Sequence, residues 1–313
     1  MYKIYDQGFR HGYRNPAQFF KNDTSRETAG WGWEGASQLT NIGKQQAYSL
    51  GKFLRNRYAK LLPTEFQPSE LLRMYNVKCP AYTEAYQPIS DDNLPQSRDW
   101  LKNEDQLVKY IMSNTGLNGS LSDLADVADN IQSILYTPGA KLPGWIENPS
   151  LAGFNKDKIL KEILEYAEAH QIQCAVDRPC AKAMAGLWLD EILKILKQKE
   201  SGKLADRKAH FYAAHTETVL SLMKLLGMDV AETPTSAGFV LEFRQQSGGG
   251  KGQVRALFHE PNHQRHTVRE AHVVRLPYCS SGEWCSLDSI AQAASKESFA
   301  DWQTFCRLPK CAI

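Results

Sequence analysis

The chain has 313 residues, with 37 Lys and Arg against 35 Asp and Glu and a formal net charge of +2. That length suits one α/β domain with a sizeable insertion or two domains, and so even a charge balance contains no polybasic tract, so nucleic acid is not indicated as a partner. No run of 18 apolar residues occurs, so no membrane span is expected, and the first dozen residues are too polar for a secretory hydrophobic segment.

An apolar strand ending near Phe9 leads into Arg10-His11-Gly12-Tyr13-Arg14-Asn15-Pro16. An imidazole between two permanent cations is a poor metal ligand and a good attacker of phosphorus. The guanidinium groups offer forked donors to phosphoryl oxygens, and their charge disfavours imidazolium, which helps keep one ring nitrogen nucleophilic. Tyr13 and Asn15 read either as lining the entrance to such a site or as surface filler. Thr40 is expected to cap a helix whose apolar positions are Ala47, Leu50, Leu54, Tyr58 and Leu61, closed by Pro63. Phe66 to Met74 reads as a short strand. From Cys79 to about Gln198 the pattern is helical, broken around Pro138, Pro143 and Pro149.

His210 to Ala214 reads as a buried strand that delivers His215 at its C-terminal end. Thr216 to Leu226 follows as a helix closed by Gly227. Phe239 to Phe243 and Val254 to Phe258 read as a hairpin around the glycine run at 247–252. That run lacks the strand-loop-helix setting of a phosphate loop and is read as a flexible turn. His259, His263 and His266 fall in a polar, proline-interrupted stretch without regular ligand spacing, so they are read as solvated loop residues, and no metal site or cofactor is expected. Both Arg10-His11 and His215 thus leave C-terminal strand ends, which in an open α/β sheet form the ligand crevice. Residues 1–77 and 205–313 are expected to form an α/β domain, with 78–204 a helical insertion beside the cleft.

On the pattern R-H-G-x-R-x-P the chain resembles the histidine acid phosphatases, the branch of the phosphoglycerate-mutase-like superfamily that works through a phosphohistidine. Gln38-Leu39-Thr40-Asn41-Ile42-Gly43 and Leu54-Arg55-Asn56-Arg57-Tyr58 resemble the segment after the nucleophile, and Tyr212-Ala213-Ala214-His215 resembles the second-histidine segment. Leu276-Pro277-Tyr278-Cys279, Cys285-Ser286-Leu287, Asp301-Trp302 and Cys306 resemble the family's cysteine-bearing tail. The resemblance implies a central α/β sheet flanked by helices, and an acid phosphatase acting on small phosphomonoesters or phosphoproteins without a cofactor. It implies His11 as nucleophile, with Arg10, Arg14 and His215 on the phosphate. The second motif of the family usually reads His-Asp, the aspartate protonating the leaving alcohol. Here it reads His215-Thr216-Glu217, similar to the His-Ala-Glu version of inositol polyphosphate phosphatases. Glu217 is then the candidate acid and Thr216 a weaker polar contact; a first-turn acid that merely suits the helix dipole is the other reading of Glu217.

One departure bears on activity. The family continues Glu70-Leu71-Leu72-Arg73 into a Ser-x-Asp-x-x-Arg-Thr segment that supplies a third phosphate-binding arginine, and nothing here matches it. The chain reads as if a loop and helix were absent between about Met74 and Tyr75. Two functions therefore stand: a metal-independent acid phosphomonoesterase, and a catalytically impaired member that binds phosphorylated ligands without turnover. The resemblance further implies disulfides between Cys279 and Cys285 and between Cys79 and Cys306. Cys174 and Cys180 could pair locally, leaving Cys311 without a partner. With the sequons at Asn22 and Asn118, this points to a secreted or lysosomal glycoprotein whose signal peptide is absent from this sequence. A homodimer is left open.

Overall fold

The computed structural model describes residues 2–22, 31–62, 73–74, 79–85, 95–204, 208–245, 250–262, 267–279, 282–297 and 302–307. In chain order its elements are β1 (Tyr2–Arg10), α1 (Asn41–Arg57), β2 (Arg73–Met74), α2 (Pro80–Ala85), α3 (Pro95–Asn103), α4 (Asp105–Thr115), α5 (Leu121–Tyr136), α6 (Gly144–Glu147), α7 (Lys156–Val176), α8 (Arg178–Glu200), β3 (Ala209–Ala214), α9 (Thr216–Leu225), β4 (Gly238–Gln245), β5 (Gly252–Asn262), β6 (Thr267–Val274), β7 (Cys285–Ser286), α10 (Leu287–Ala294) and α11 (Trp302–Phe305). The class is mixed α/β. The chain divides into two compact units, one of residues 1–12, 42–82 and 174–313 and the other of 13–41 and 83–173. These boundaries fall at 12, 41, 82 and 173, where the sequence reading drew them near 77 and 205.

The first unit holds the sheet, in the order β2-β3-β1-β4-β5-β6 with β7 on β5. Strands β2, β3 and β1 are parallel, and the remaining pairs are antiparallel. Strand β1 is internal, so Asp6, Gln7 and Gly8 are all buried. Gly8 has to lack a side chain, because a Cβ there would overlap the rings of Trp188 and Phe239. Trp188 reaches this spot from α8, with its ring centroid 5.1 Å from that of Tyr212 and 5.6 Å from that of Phe239. Helix α8 therefore belongs with the sheet. On α1 the buried residues are Gly43, Gln46, Leu50, Phe53 and Leu54, and Ala47 is exposed. Gln46 takes the inward place because its amide donates to the Thr235 hydroxyl (3.1 Å).

The reading of His259 as a solvated loop residue is overturned. It lies in β5, is 0% exposed, and its Nε2 stands 2.9 Å from the Gln7 side-chain nitrogen. An amide nitrogen only donates, so His259 accepts, and burial lowers its pKa to about 3. Pro261 suggested a loop; the ladder between β5 and β6 accommodates it with a register shift between His259 and Pro261. His263 and His266 lie outside the described residues, and among the described residues no three His, Cys, Asp or Glu side chains could hold a metal. Three disulfides join Cys79 to Cys306, Cys174 to Cys180 and Cys279 to Cys285. Cys311, residues 66–72 of the expected strand, and the Met74–Tyr75 junction on its Tyr75 side also lie outside the described residues.

The second unit packs α4, α5 and α7 around Leu107, Ile111, Leu124, Val127, Ile131, Ile159 and Ile163, with Phe20 and Trp31 of the segment 13–41 in the same core. Helix α5 starts from a capping box in which the Ser120 side chain and Asp123 satisfy each other's backbone amides. Helix α4 ends at Gly116, whose φ of 75° suits glycine.

Candidate active site

The parallel pairing of β1 and β3 places Arg10 opposite Ala214, so His11 and His215 emerge from the same edge of the sheet. The backbone stays held past the strand ends: His11 N–H donates to the Ala214 carbonyl (3.2 Å), and the Ser236 N–H donates to the His11 carbonyl (3.1 Å). The two imidazoles meet edge to face, with centroids 5.4 Å apart and planes at 75°. His11 Nδ1 lies 2.7 Å from the Gly12 carbonyl oxygen. A carbonyl only accepts, so Nδ1 carries the hydrogen in this contact and the lone pair of the neutral ring sits on Nε2. Gly12 permits this turn because a side chain there would run into the backbone carbonyl of Gly43 in the first turn of α1.

His215 is the residue before α9, with φ −99° and ψ 166°, and its carbonyl accepts the helix's first hydrogen bond from Val219 N–H (3.0 Å). The remaining amides of that first turn have no intrahelical acceptor and, with the helix dipole, favour an anion beside His215. Glu217 is half-buried in this turn. Thr216 is 3% exposed, and its hydroxyl has no hydrogen-bond partner among the described residues. Arg10 donates from Nη1 to the Thr233 carbonyl (3.1 Å), and its backbone N–H donates to Ala237 (2.9 Å). The structure thus brings Arg10, His11 and His215 to two neighbouring strand ends of one unit, with Thr216 and Glu217 in the helix turn that follows His215.

Arg14 belongs to the second unit. Its Nη2 pairs with Asp129 Oδ2 of α5 at 3.3 Å, and its Nη1 donates to the Asn15 carbonyl (2.8 Å). Asp126, one turn earlier on α5, has its pKa raised to about 6 by burial and by the charge of Asp129, against the lowering effects of Arg14 and of backbone hydrogen bonds from Gln18 and Ala17. Neither residue was singled out from sequence. The only signal was a pair of carboxylates at i and i+3 on an amphipathic helix, which many surface helices share. Tyr13 and Asn15 are not surface filler: Tyr13 is 8% exposed and donates to Gln132 (3.1 Å), while Asn15 is 1% exposed and donates to Glu34 and to the Gly35 carbonyl.

No protein-family model matches the chain. Among characterised proteins it is similar to prostatic acid phosphatase of Rattus norvegicus, 24% identical across 95% of this chain and 87% of that protein. It is also similar to testicular acid phosphatase of Mus musculus (26%, 76% and 67%) and lysosomal acid phosphatase of Xenopus laevis (22%, 96% and 77%). Among solved structures, the phytase of Hafnia alvei aligns with a TM-score of 0.60 at 13% identity, covering 99% of this chain and 98% of that one. A Klebsiella phytase aligns at 0.59 with 16% identity, covering 100% and 98%. At such identity the structural matches speak for the fold.

Proposed function

We infer that this chain, a member of the histidine acid phosphatase family, hydrolyses phosphate monoesters through a phosphohistidine on His11. The observation that carries the reading is the His11 ring: its Nδ1 is tied to the Gly12 carbonyl, which leaves Nε2 as the nucleophilic atom, 5.4 Å centroid to centroid from the second imidazole. Nε2 attacks phosphorus, the phosphorus–oxygen ester bond breaks, and the leaving oxygen takes a proton from the Glu217 carboxylic acid. The Glu217 carboxylate then accepts a proton from water as that water displaces His11 and releases phosphate. Arg10, Arg14 and His215, with Thr216 as a weaker contact, neutralise the phosphoryl oxygens, which is where most of the rate enhancement in phosphoryl transfer arises.

A test of the acid role is Glu217→Gln. It should slow alkyl phosphates by roughly 100- to 10,000-fold, the usual scale of general acid catalysis, and slow aryl phosphates much less because their leaving groups need no proton. Equal losses on both would assign Glu217 a structural role. The absent Ser-x-Asp-x-x-Arg-Thr segment favours the second reading, a phosphate binder with poor turnover, which inorganic phosphate binding without hydrolysis of either substrate class would support.

The three disulfides support folding in an oxidising compartment, and Asn118 is exposed ahead of Ser120, as a glycan acceptor would be. No helix among the described residues is long and apolar enough to cross a membrane. A secreted or lysosomal location is proposed on the disulfides and on the names of the relatives.

A further inference from the structure

We propose that Gln46 and Thr235 are positioning residues: their hydrogen bond locks the turn at 234–237, and through that turn the His11 backbone and the Arg10 guanidinium. The proposal rests on the phosphatase reading above and concerns what aims its nucleophile. The turn, the residue that locks it and both groups it holds lie within one compact unit.

A connecting segment usually runs over the surface, where water satisfies its backbone. The segment 233–237 does not: Thr233 and Ser236 are 1% exposed and Ala237 is 0% exposed. Backbone groups buried in this way have to be paired within the protein, and here they are spent on the site. The Thr233 carbonyl accepts from Arg10 Nη1 (3.1 Å), the Ala237 carbonyl accepts from Arg10 N–H (2.9 Å), and Ser236 N–H donates to the His11 carbonyl (3.1 Å). A carbonyl orients a guanidinium without cancelling its charge, whereas a carboxylate would cancel it, so the forked group keeps its pull on a phosphoryl oxygen.

The turn does not hold its shape alone. Ala237 N–H donates to the Pro234 carbonyl (2.9 Å), closing a four-residue turn whose third residue, Ser236, has a φ of 61°. That left-handed value normally calls for glycine, and a serine persists there only where its surroundings hold it. Gly238, which follows the turn, supplies one constraint: a Cβ there would overlap the Gly8 carbonyl and Phe9, so the chain lies tight against β1. Gln46 supplies another. It reaches in from α1, is 1% exposed, and donates from its side-chain amide to the Thr235 hydroxyl (3.1 Å). Thr235 is the second residue of the turn, so this bond fixes the chain between the Thr233 carbonyl that holds Arg10 and the Ser236 amide that holds His11.

The experiment separates aim from binding. An aryl phosphate is the substrate, because its leaving group needs no proton and the rate of phosphoenzyme formation then reports the attack by His11. Thr235→Val keeps the shape of the side chain and removes the hydroxyl. Single-turnover mixing on the full chain should show phosphoenzyme forming about tenfold more slowly, a fraction of the roughly hundredfold that a misplacement of about 1 Å can cost. Inorganic phosphate, measured by calorimetry, should bind within about twofold of the wild type, since every cation remains and only the approach to the transition state is lost. Thr235→Ser, which restores the hydroxyl, should recover the rate. Gln46→Met removes the same bond from α1 and should give the same loss, and the double variant should be no slower than either single one. Unchanged attack in folded Thr235→Val and Gln46→Met, with only a lower melting temperature, would overturn this proposal and leave the phosphatase reading standing; so would losses that multiply in the double variant. A wild type that binds phosphate but forms no phosphoenzyme would overturn both.

Discussion

Glu242 is a buried charge of the sheet unit held by two arginines. It is 0% exposed on β4 and accepts from Arg57 Nε (3.1 Å) and Nη2 (2.9 Å), from the Tyr58 hydroxyl (2.9 Å), and from Arg255 Nε (2.9 Å) and Nη2 (2.5 Å). Register supplies one arm, because Glu242 pairs directly with Arg255 across β4 and β5, and the end of α1 supplies the other. Removing one member of such a network leaves uncompensated buried charge and costs about 3–5 kcal/mol. Two features pull the figure towards the lower end. Arg255 keeps a second partner in Glu283 (2.9 Å), and Arg57 is 30% exposed and can turn to water. Glu242→Ala should therefore lose about 3 kcal/mol, a large part of the roughly 5–15 kcal/mol that holds a domain together. The Tyr58 hydroxyl, whose pKa burial and Glu242 both push up, stays neutral either way. Urea denaturation under non-reducing conditions measures the loss as a lower midpoint at unchanged slope. A loss below about 1 kcal/mol would refute the reasoning, since it would mean that the arginines find equal partners elsewhere.

Two further predictions concern the same unit. Burial, reinforced by Glu191, raises the Asp6 pKa well above its ordinary 3.8, and both carboxylate oxygens lack a hydrogen-bond partner among the described residues. The folded state therefore holds this proton more tightly than the unfolded chain, so the contribution to stability is present below the ordinary value and is lost as pH rises through the raised one. Asp6→Asn should flatten that decline, and melting curves of the two proteins that stay parallel from acid to neutral pH would contradict it. The Cys79 to Cys306 bridge spans 227 residues of sequence, so Cys306→Ser should destabilise by about 2–5 kcal/mol, read as a lower melting temperature, and an unchanged melt would count against a structural role.

The strand-to-histidine junctions were legible because they depend on local pattern: apolar residues 210–214 followed by a helix start fix where His215 emerges. The burial of α8 against the sheet was not legible, because it depends on the space beside Gly8 that the rings of Trp188 and Phe239 fill, 180 and 231 positions away. Gln46 displaced Ala47 from the inner face of α1 for a similar reason, since its hydrogen-bond partner Thr235 lies in a distant loop. His259 was misread because a proline two residues on normally ends a strand, and the register shift that rescues it leaves no mark in composition. Within the candidate site, the motif named Arg10, His11 and Arg14, but the Gly12 carbonyl that fixes the His11 tautomer and the Asp129 carboxylate that pairs with Arg14 are properties of three-dimensional approach.

The central claim is that His11 Nε2 forms a covalent bond to phosphorus. Rapid mixing with a radiolabelled phosphate ester, followed by an alkaline denaturing quench, should trap label on the protein in a bond that survives alkali and is lost in acid, and peptide mapping should place it on His11. His11→Ala should carry no label while retaining its fold. Equal labelling of His11→Ala, or label on a different residue of the wild type, would contradict the account.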